Sequence, residues 1–369
     1  MPDLIALDLP GGQRFVDELL RTWDAGDAIL PVDQRLPPQA KIELVHRLGA
    51  TTVVTADDRS RVDGGRPVEP GDAAVVATSG STGAPKGVVL THDAIAASAS
   101  ATSRRLGVTT GDHWLACLPL SHVGGLSVVF RALHAGTSLT VHPGFDTAAV
   151  ESSGATLVSL VTAAMRRIDP TLFRTIVLGG ARPPADRPRN AVTTYGMTET
   201  GSGIVYDCRP LDGVDLRIVD DEIHVRGAMT LRCYRDGADP KSPDGWFATG
   251  DLGTIEADGR LTVHGRQGDL IISGGENVWP ETVEAVLREH PAIDDAAVHG
   301  RDDPEWGEVV AATLVAADPD RRPTLDEIRE YVKSSLPAYC APRRVTYRDV
   351  LPRTSLGKLA RGALQHPDR

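Results

Sequence analysis

Apolar positions along this chain follow two spacings. Short apolar runs such as Thr51–Thr55 and Ala73–Thr78, bounded by polar or turn-forming residues, predict buried strands. Residues 13–23, the stretch that follows Pro37 and Pro38 through about Leu48, and Asp93–Arg105 are predicted to be helices, because their apolar residues recur at helical intervals. Strands that alternate with helices favour a parallel sheet with crossover helices.

The same spacings place the remaining elements. Further strands are predicted at Ala28–Val32, Trp114–Leu118, Ser138–Val141, Thr156–Leu160, Thr175–Leu178, Ala296–Gly300 and Glu308–Val315, and further helices at Pro280–Glu289 and Thr324–Lys333. Asp215–Val219, Glu222–Arg226 and Arg260–His264 are short alternating segments with tight turns, which is typical of antiparallel β structure. The polar stretch 57–72 is predicted to be a surface loop.

These patterns predict an α/β protein of two domains. Residues 1–267 are expected to form a large domain with mainly parallel sheets, helices and a small antiparallel β part. Residues 268–369 are expected to form a small α+β domain. A length of 369 residues supports this division, because it exceeds one typical domain.

Composition and charge exclude several classes of protein. The formal net charge of −11 argues against a nucleic-acid partner, which would need a basic face. The acidic N-terminus lacks the basic region of a signal peptide, and no apolar run approaches the ~20 residues that span a bilayer. Four well-separated cysteines form no C-x-x-C pair, so we expect reduced thiols. A cytoplasmic protein without a membrane partner is therefore expected.

One segment carries a clear chemical signal. It reads T-S-G-S-T-G-A-P-K-G and directly follows the predicted strand Ala73–Thr78. Its glycines allow sharp turns, and successive backbone N–H groups with hydroxyls and a lysine make an anion site. It is not a Walker A loop, because glycine follows the lysine. The predicted polyphosphate ligands are Thr78, Ser79, Gly80, Ser81, Thr82, Gly83 and Lys86.

Four further segments follow in a fixed order. They are Tyr195–Thr200 (Y-G-M-T-E-T), Thr249–Asp251 (T-G-D), Gly265–Asp269 (G-R-Q-G-D) and Pro352–Lys358 (P-R-T-S-L-G-K). Together with the glycine-rich loop they resemble the motifs of the adenylate-forming superfamily, which includes acyl- and aryl-CoA synthetases. The resemblance covers nearly the whole chain. It implies an enzyme that activates a carboxylic acid with ATP and Mg²⁺ and passes the acyl group to coenzyme A.

The resemblance assigns roles to particular residues. It implies a mobile C-terminal lid whose Lys358 neutralises charge at the α-phosphorus, with Lys86, Glu199 and His122 as the other catalytic residues. Glu199 offers the hard oxygen that Mg²⁺ prefers, although a lone glutamate is usually a solvated surface acid. The remaining ATP-binding residues are Gly180, Tyr195, Gly196, Thr198, Asp251 and Arg266. Asp251 suits two ribose hydroxyls or a simple turn, and Arg266 suits the ribose or a surface ion pair.

The segment Leu118–Gly125 resembles the border of the family's acyl pocket. His122 would gate the carboxylate entrance, or would be a packed histidine at a strand end. Arg131 stands in an otherwise apolar stretch, where an unpaired cation is costly. It would pair with a nearby acid or bind a second carboxylate of the substrate. The other expected acid-pocket residues are Gly125, Gly179 and Thr194.

A dicarboxylate substrate is a feature of one subfamily, the o-succinylbenzoate–CoA ligases of menaquinone biosynthesis, which this chain most resembles. The resemblance implies a hinge at Gly268 and a coenzyme A tunnel lined by Gly274, Gly275 and Glu276. Free coenzyme A is the expected acceptor, because no carrier serine motif is present. A ligase for another aryl or short-chain acid, or an enzyme that loads a carrier protein, stays open. So does a homodimer.

Overall fold

The structure is a computed structural model that describes residues 1–79, 85–180, 183–184, 186–353 and 359–365. Contacts divide the chain into two compact units. The first unit is Met1–Leu216 with Val225–Ala248, and the second is Arg217–His224 with Thr249–Arg369. Among the described residues, no helix combines the length and the apolar character needed to cross a bilayer.

The strands are numbered in chain order. The first group is β1 (Leu4–Leu7), β2 (Ala28–Pro31), β3 (Thr52–Val54), β4 (Arg59–Arg61), β5 (Asp72–Ser79), β6 (Pro85–Thr91), β7 (His113–Ala116) and β8 (Ser138–Val141). The second is β9 (Leu157–Leu160), β10 (Thr175–Leu178), β11 (Ala191–Met197), β12 (Ser202–Tyr206), β13 (Arg209–Pro210), β14 (Val214–Val219), β15 (Glu222–Gly227) and β16 (Cys233–Tyr234). The third is β17 (Phe247–Ile255), β18 (Leu261–Arg266), β19 (Ile271–Ser273), β20 (Glu276–Val278), β21 (Ile293–Asp303), β22 (Gly307–Ala316) and β23 (Arg344–Tyr347).

The helices alternate with these strands. They are α1 (Gln13–Asp24), α2 (Pro38–Leu48), α3 (His92–Leu106), α4 (Val123–Ala135), α5 (Thr147–Glu151), α6 (Thr162–Met165), α7 (Pro280–Arg288), α8 (Leu325–Lys333) and α9 (Gly362–Gln365). Short 3-10 turns occupy Pro170–Leu172, Thr198–Thr200, Gln267–Asp269 and Ala338–Cys340.

Two seven-stranded sheets form the framework of the first unit. One has the order β16-β6-β5-β2-β1-β3-β4, in which β1 pairs in parallel with β2 and β3. The other has the order β13-β12-β11-β10-β9-β7-β8 and is parallel from β8 to β11. The central strands β1, β2, β9 and β10 are almost completely buried, as expected for parallel sheets covered by helices.

Local sequence explains where the helices begin and end. The Thr91 hydroxyl caps α3 by accepting a hydrogen bond from the Ala94 N–H at 3.1 Å, and Gly107 ends that helix in the left-handed conformation. In the second unit, Thr324 and Glu327 form a capping box at the start of α8. The predicted helices are confirmed with small shifts at their ends, and the strand Thr175–Leu178 is confirmed at its predicted bounds.

The antiparallel part lies where the sequence predicts it. A four-stranded sheet has the order β14-β15-β17-β18, and the C-terminal sheet has the order β20-β19-β22-β21 with β23 beside β22. A core of buried aliphatic residues that includes Val283, Leu287, Val298 and Ile328 joins α7 and α8 to this C-terminal sheet. The predicted fold class is therefore confirmed.

The segment between β3 and β5 departs from the sequence prediction. The stretch 57–72 is not all loop, because the exposed residues Arg59–Arg61 form β4 at the sheet edge and Asp72 begins β5. The predicted domain boundary after residue 267 lies inside the second compact unit. A division by contacts need not coincide with the point about which a domain rotates. The boundary after residue 267, which was predicted for a rotating C-terminal domain, therefore stays a prediction.

A buried histidine gives the second unit a predicted pH dependence. His299 on β21 is 3% exposed, and neither ring nitrogen has a hydrogen-bond partner among the described residues. Burial, with the charges of Arg301 and Arg361, lowers its pKa to about 4. In the unfolded chain this histidine has a pKa of about 6.5. Between about pH 6.5 and about pH 4 the unfolded state therefore binds more protons than the folded state, and the free energy of unfolding should fall as the pH drops through this range.

Urea unfolding of wild type and His299→Phe at pH 7.5 and pH 5 checks this expectation. The variant should lose about 1–2 kcal/mol less than wild type between the two pH values. Equal losses in both proteins would show that His299 is not the group responsible.

Candidate active site

The ends of the glycine-rich loop are held by a strand pair. β5 and β6 are antiparallel neighbours, with Thr78 opposite Lys86, and the Thr78 hydroxyl donates to the Lys86 carbonyl at 3.5 Å. Lys86 is exposed at the start of β6. Gly80, Ser81, Thr82 and Gly83 and the side chain of Ser79 lie outside the described residues, so their predicted roles stay predictions.

Lys86 and Glu199, the predicted cation and acid of the polyphosphate site, meet at one aromatic side chain. The Lys86 Nζ lies 5.1 Å from the centre of the Tyr234 ring. The Tyr234 hydroxyl donates to the Glu199 Oε1 at 3.1 Å. The sequence prediction did not include Tyr234, which belongs to none of the five motifs.

Glu199 is placed by a short turn at the end of β11. It is the middle residue of the 3-10 turn Thr198–Thr200, and it is half-buried. The Thr200 hydroxyl accepts a hydrogen bond from the Met197 N–H at 3.0 Å and donates to the Ser202 carbonyl at 2.7 Å, which fixes the turn. The Glu199 carboxylate is itself held by the Tyr234 hydroxyl, unlike that of a fully solvated surface acid.

The surroundings of Glu199 suit Mg²⁺ better than a metal ion that is bound entirely by protein side chains. Among the described residues, no cluster of three or more His, Cys, Asp or Glu side chains is suited to a metal ion. Mg²⁺ is usually bound by one or two carboxylates together with phosphate oxygens and water. A single carboxylate near Lys86, linked to it through the Tyr234 side chain, matches that habit.

Four further predicted residues lie just beyond the point where the parallel pairing of β10 with β11 ends. The Thr194 hydroxyl donates to the Leu178 carbonyl at 3.2 Å. A Cβ on Gly179 would lie 2.8 Å from that same hydroxyl oxygen, and Gly180 has φ +87°. Tyr195 follows at a β-bulge. Parallel strands bind ligands at this edge of a sheet, so the placement agrees with an ATP and acid site.

Gly196 has a steric reason to be glycine. An added Cβ would lie 2.2 Å from the Ser202 carbonyl oxygen across the β11–β12 pair. Any larger residue would separate the two strands, and the following Glu199 turn would move with them. The glycine of the Y-G-M-T-E-T motif is thus required by backbone approach.

His122 stands immediately before α4 and is held in place. Its Nε2 lies 3.3 Å from the Asp33 Oδ2 and 3.0 Å from the Arg35 Nη2. Burial opposes ionisation of Asp33, but the hydrogen bonds and charge of Arg35 and the charge of His122 lower its carboxyl pKa to about 2. An added Cβ on Gly125 would lie 2.4 Å from the Leu118 carbonyl oxygen, so α4 packs closely on the preceding turn.

Arg131 on α4 is a buried cation. It is 2% exposed. Its partners are neutral: the hydroxyls of Ser159 at 3.5 Å, Tyr206 at 3.2 Å and Ser202, with the Trp114 ring 5.7 Å away. Its Nε has no partner, and no carboxylate lies within ion-pair distance among the described residues. The alternative of a nearby acid therefore finds no support.

This guanidinium lines a recess of the first unit. The lining is otherwise apolar or hydroxyl-bearing, and it consists of Ile95, Ser98, Ala99, Ser127, Phe130, Arg131 and Gly201. Arg131 is the only charged side chain among the described residues that line this recess.

The second unit brings Asp251 and Arg266 together. They are opposite each other on β17 and β18, and the Arg266 Nε lies 2.7 Å from the Asp251 Oδ1. The Thr249 hydroxyl donates to the Ile223 carbonyl at 2.7 Å and accepts from the Asp251 N–H at 3.1 Å, which fixes the turn. Asp251 is mostly buried and Arg266 half-exposed, so the ion pair predicted as one alternative for Arg266 is present.

The predicted coenzyme A segment forms the β19–β20 hairpin. Gly274 and Gly275 have φ of +60° and +86°, and Glu276 is exposed. A Cβ on Gly274 would lie 2.6 Å from the Trp306 ring, which stacks under the Arg343 guanidinium at 4.0 Å. Gly268 lies in a 3-10 turn without a positive φ, and a Cβ there would meet open space. Its role as a hinge stays a prediction.

Comparison with known proteins identifies the family. Models named AMP-binding enzyme and AMP-binding enzyme C-terminal domain match residues 61–237 and 282–358. A relative from Mycobacterium tuberculosis, named Probable 2-succinylbenzoate–CoA ligase, is 40% identical over 331 residues, which cover 81% of this chain and 85% of the relative. The chain belongs to the AMP-binding enzyme family. The expected adenylate-forming family is thereby confirmed.

Two solved structures resemble this AMP-binding enzyme closely. The o-succinylbenzoate CoA synthetase MenE of Bacillus subtilis, in complex with the acyl-adenylate intermediate OSB-AMP, has a TM-score of 0.87 and 28% identity over 98% of this chain and 88% of that chain. The same synthetase with ATP and magnesium ion has a TM-score of 0.86 and 29% identity over 98% and 89% of the two chains. ATP and magnesium as cofactors agree with these neighbours.

The C-terminal motif of this AMP-binding enzyme is partly described. Lys358 lies outside the described residues, so its catalytic role stays a prediction. Arg361, three residues later, is held firmly: its Nη1 lies 3.0 Å from the Asp269 Oδ2 and its Nη2 lies 2.9 Å from the Glu284 Oε1. Sequence reasoning did not include Arg361, because its partners are distant along the chain.

Proposed function

We propose that this enzyme is an ATP-dependent ligase that converts o-succinylbenzoate to o-succinylbenzoyl-CoA through an acyl-adenylate, a step of menaquinone biosynthesis. Family membership supports adenylation and transfer to a thiol. The names of the similar proteins support the acid. The observation that carries the choice of a dicarboxylate is the buried guanidinium of Arg131, which has no acidic partner among the described residues.

A buried guanidinium whose partners are all neutral lacks a compensating negative charge. Burying such a cation is costly unless an anion accompanies it. Serine and tyrosine hydroxyls orient the Arg131 fork but leave its charge uncompensated. A substrate carboxylate in the recess would supply the missing charge through short, charge-assisted hydrogen bonds. A monocarboxylic acid uses its single carboxylate in the reaction and has none left for Arg131.

The first half-reaction forms the acyl-adenylate. An oxygen of the other carboxylate attacks the α-phosphorus of ATP, and the bond from that phosphorus to the pyrophosphate oxygen breaks. Negative charge grows on the leaving group, so Lys86 and Lys358 would act by supplying cations near it. Glu199 would be the protein ligand of Mg²⁺, which when bound would neutralise phosphate charge. His122, held by Asp33 and Arg35, would border the reacting carboxylate.

The nucleotide is assigned to residues at two places in the chain. In the first unit, Gly179, Gly180, Thr194 and Tyr195 border the strand ends where adenine and acid would lie, and Thr198 would donate to phosphate. In the second unit, Asp251 would accept hydrogen bonds from ribose hydroxyls, while Arg266 orients its carboxylate at 2.7 Å.

The second half-reaction forms the thioester. The sulfur of coenzyme A attacks the acyl carbon, the bond to the AMP oxygen breaks, and the thiol proton leaves to solvent. Rotation at Gly268 would bring the Gly274–Glu276 hairpin to the thiol. The two glycines of this hairpin adopt the left-handed conformation and carry no side chain, so they would let a pantetheine arm approach the backbone closely.

A panel of acids tests the proposed function. ATP-dependent pyrophosphate release and coenzyme A acylation are measured with o-succinylbenzoate, with 4-oxo-4-phenylbutanoate, which lacks the second carboxylate, with benzoate and with short-chain acids. We expect kcat/KM for o-succinylbenzoate to exceed that for 4-oxo-4-phenylbutanoate by about 100-fold. Preference for another acid would make the substrate wrong. Adenylation without coenzyme A acylation would favour a carrier protein as acceptor.

The proposal includes two points about the cellular enzyme. Because ATP and coenzyme A are supplied in the cytoplasm, we propose that the enzyme works there. A homodimer stays a prediction, and sedimentation equilibrium of the purified enzyme would decide it.

A further inference from the structure

Tyr234 lies between the two oppositely charged groups of the polyphosphate site. Its hydroxyl contacts Glu199 at 3.1 Å, and its ring lies 5.1 Å from the Lys86 Nζ. We propose that Tyr234 is a positioning residue for adenylation, which holds the Glu199 carboxylate ready for Mg²⁺ and the Lys86 ammonium ready for polyphosphate. This inference rests on the proposed function, because it needs an enzyme that uses MgATP.

The phenol acts on Glu199 by restricting one of its two oxygens. A phenolic O–H donates well to a carboxylate, and Glu199 and Tyr234 are both half-buried, where such a bond is stronger than in water. With Oε1 held at 3.1 Å, the carboxylate keeps one orientation and presents its other oxygen. A carboxylate oriented before the metal arrives loses less conformational freedom on binding.

The ring acts on Lys86 in a different way. A lysine side chain has a flexible four-carbon stem, which is costly to order when a phosphate binds. An ammonium over an aromatic face is attracted by the ring quadrupole. The Tyr234 ring therefore keeps the exposed Lys86 on the side of Glu199 while leaving its donors available to an anion.

The backbone around Tyr234 is held much more firmly than a surface tyrosine requires. Strand β16 pairs with β6, the strand that begins beside Lys86, with Tyr234 opposite Val88. The Arg232 guanidinium makes two hydrogen bonds, at 2.8 and 2.9 Å, to the Asp72 carboxylate, which is 1% exposed. The tyrosine and the lysine are thus fixed to the same strand pair.

Arg235 adds a second attachment. Its guanidinium donates to the carbonyls of Leu48 at 3.0 Å and Pro67 at 2.9 Å, and its own N–H donates to the Gly87 carbonyl at 2.7 Å. Residues 232–235 are therefore attached to β5, to β6 and to the segments at Leu48 and Pro67. Backbone hydrogen bonds and the Arg232–Asp72 ion pair thus hold the backbone that carries the Tyr234 ring near Lys86.

Two substitutions separate the two contacts of Tyr234. Tyr234→Phe removes the hydroxyl and keeps the ring, whereas Tyr234→Leu removes both. Calorimetric titration measures the Kd of ATP in the presence of Mg²⁺ and in the presence of EDTA, without any acid. A contact through Glu199 should affect the magnesium form alone, and a contact through Lys86 should affect both forms.

For Tyr234→Phe we expect the Kd of MgATP to rise about 3- to 10-fold and the Kd of metal-free ATP to stay within about 2-fold. For Tyr234→Leu we expect both values to rise. Tyr331→Phe on α8 is the matched control and should change neither. A wild-type MgATP affinity in Tyr234→Phe, or equal weakening of the two ATP forms, would overturn the proposal.

The two proposals fail separately. Titration of ATP involves no acid, so normal acid-dependent pyrophosphate release by wild type together with unchanged MgATP binding in Tyr234→Phe refutes the Tyr234 role alone. Absence of pyrophosphate release with every acid in the wild-type enzyme, together with the expected change in MgATP binding, refutes the proposed function alone.

Discussion

Replacing Arg131 by methionine is expected to lower kcat/KM for o-succinylbenzoate by roughly 30- to 1,000-fold. Removing one partner of a buried, hydrogen-bonded charge pair costs about 2–4 kcal/mol, which corresponds to that range. The remaining hydroxyls of Ser159, Ser202 and Tyr206 still line the recess but carry no charge. Steady-state pyrophosphate release measures the effect, and the loss should be mainly in the apparent affinity for the acid.

Two controls make the Arg131 result specific. Activity with 4-oxo-4-phenylbutanoate should change little, because that acid offers nothing to the guanidinium. Arg104→Met removes an exposed cation of the same unit, paired with the exposed Asp212, and should leave both acids unaffected. If Arg131→Met lowers activity with both acids equally, the residue supports the pocket without binding a carboxylate.

Stability should move in the opposite direction. The unliganded wild-type enzyme bears the cost of a desolvated guanidinium without an anion, and methionine of similar length removes that cost. We therefore expect the apparent Tm of Arg131→Met to be at or above that of wild type. Addition of o-succinylbenzoate should raise the Tm of wild type and leave the variant unchanged, since ligand binding stabilises only a protein that binds it.

Replacing Lys358 by alanine is expected to lower acid-dependent pyrophosphate release by about 10²–10⁴-fold. A cation aimed at charge that develops during displacement at phosphorus acts chiefly on the transition state. Binding of MgATP, which other residues provide, should change by less than about 3-fold. Rapid-quench measurement of the first turnover separates the chemical step from release of products.

A matched variant checks the assignment. Lys333→Ala removes a partly exposed lysine of the same unit, paired with Glu330 on α8, and should retain wild-type turnover. Undiminished adenylation in Lys358→Ala would assign the cation near the α-phosphorus to another residue, and Lys86 would be the first to examine.

The periodic elements were predictable because they combine a strong pattern with local stop signals. The predicted strand Thr175–Leu178 has the observed bounds, and the helix predicted after Pro37 and Pro38 ends at Leu48, before the left-handed Gly49. Strand β1 was missed although its residues are completely buried. Four apolar residues beside a chain terminus resemble any short apolar run, and pairing with distant strands decides their conformation.

The site was predictable where residues are contiguous and not where the fold brings them together. The motif around Glu199 can be read along the chain, and so can the loop that ends at Lys86. Tyr234 is far from both in sequence, and one tyrosine in a polar segment carries no periodic signal. The sequence singles out Arg131 because a cation interrupts an apolar stretch. That its partners are neutral depends on the folded chain and could not be predicted.

The ion pairs of Arg361 have a mechanical consequence. Asp269 directly follows the proposed hinge, and Arg361 links it to Glu284 and to the segment that follows Lys358 in sequence. A rotation of the backbone at the proposed hinge, residue 268, would displace Asp269. The ion pairs of Arg361 with Asp269 and Glu284 would then make Arg361 move with it. The proposed rotation would therefore move Asp269, Glu284 and Arg361 together as one rigid group.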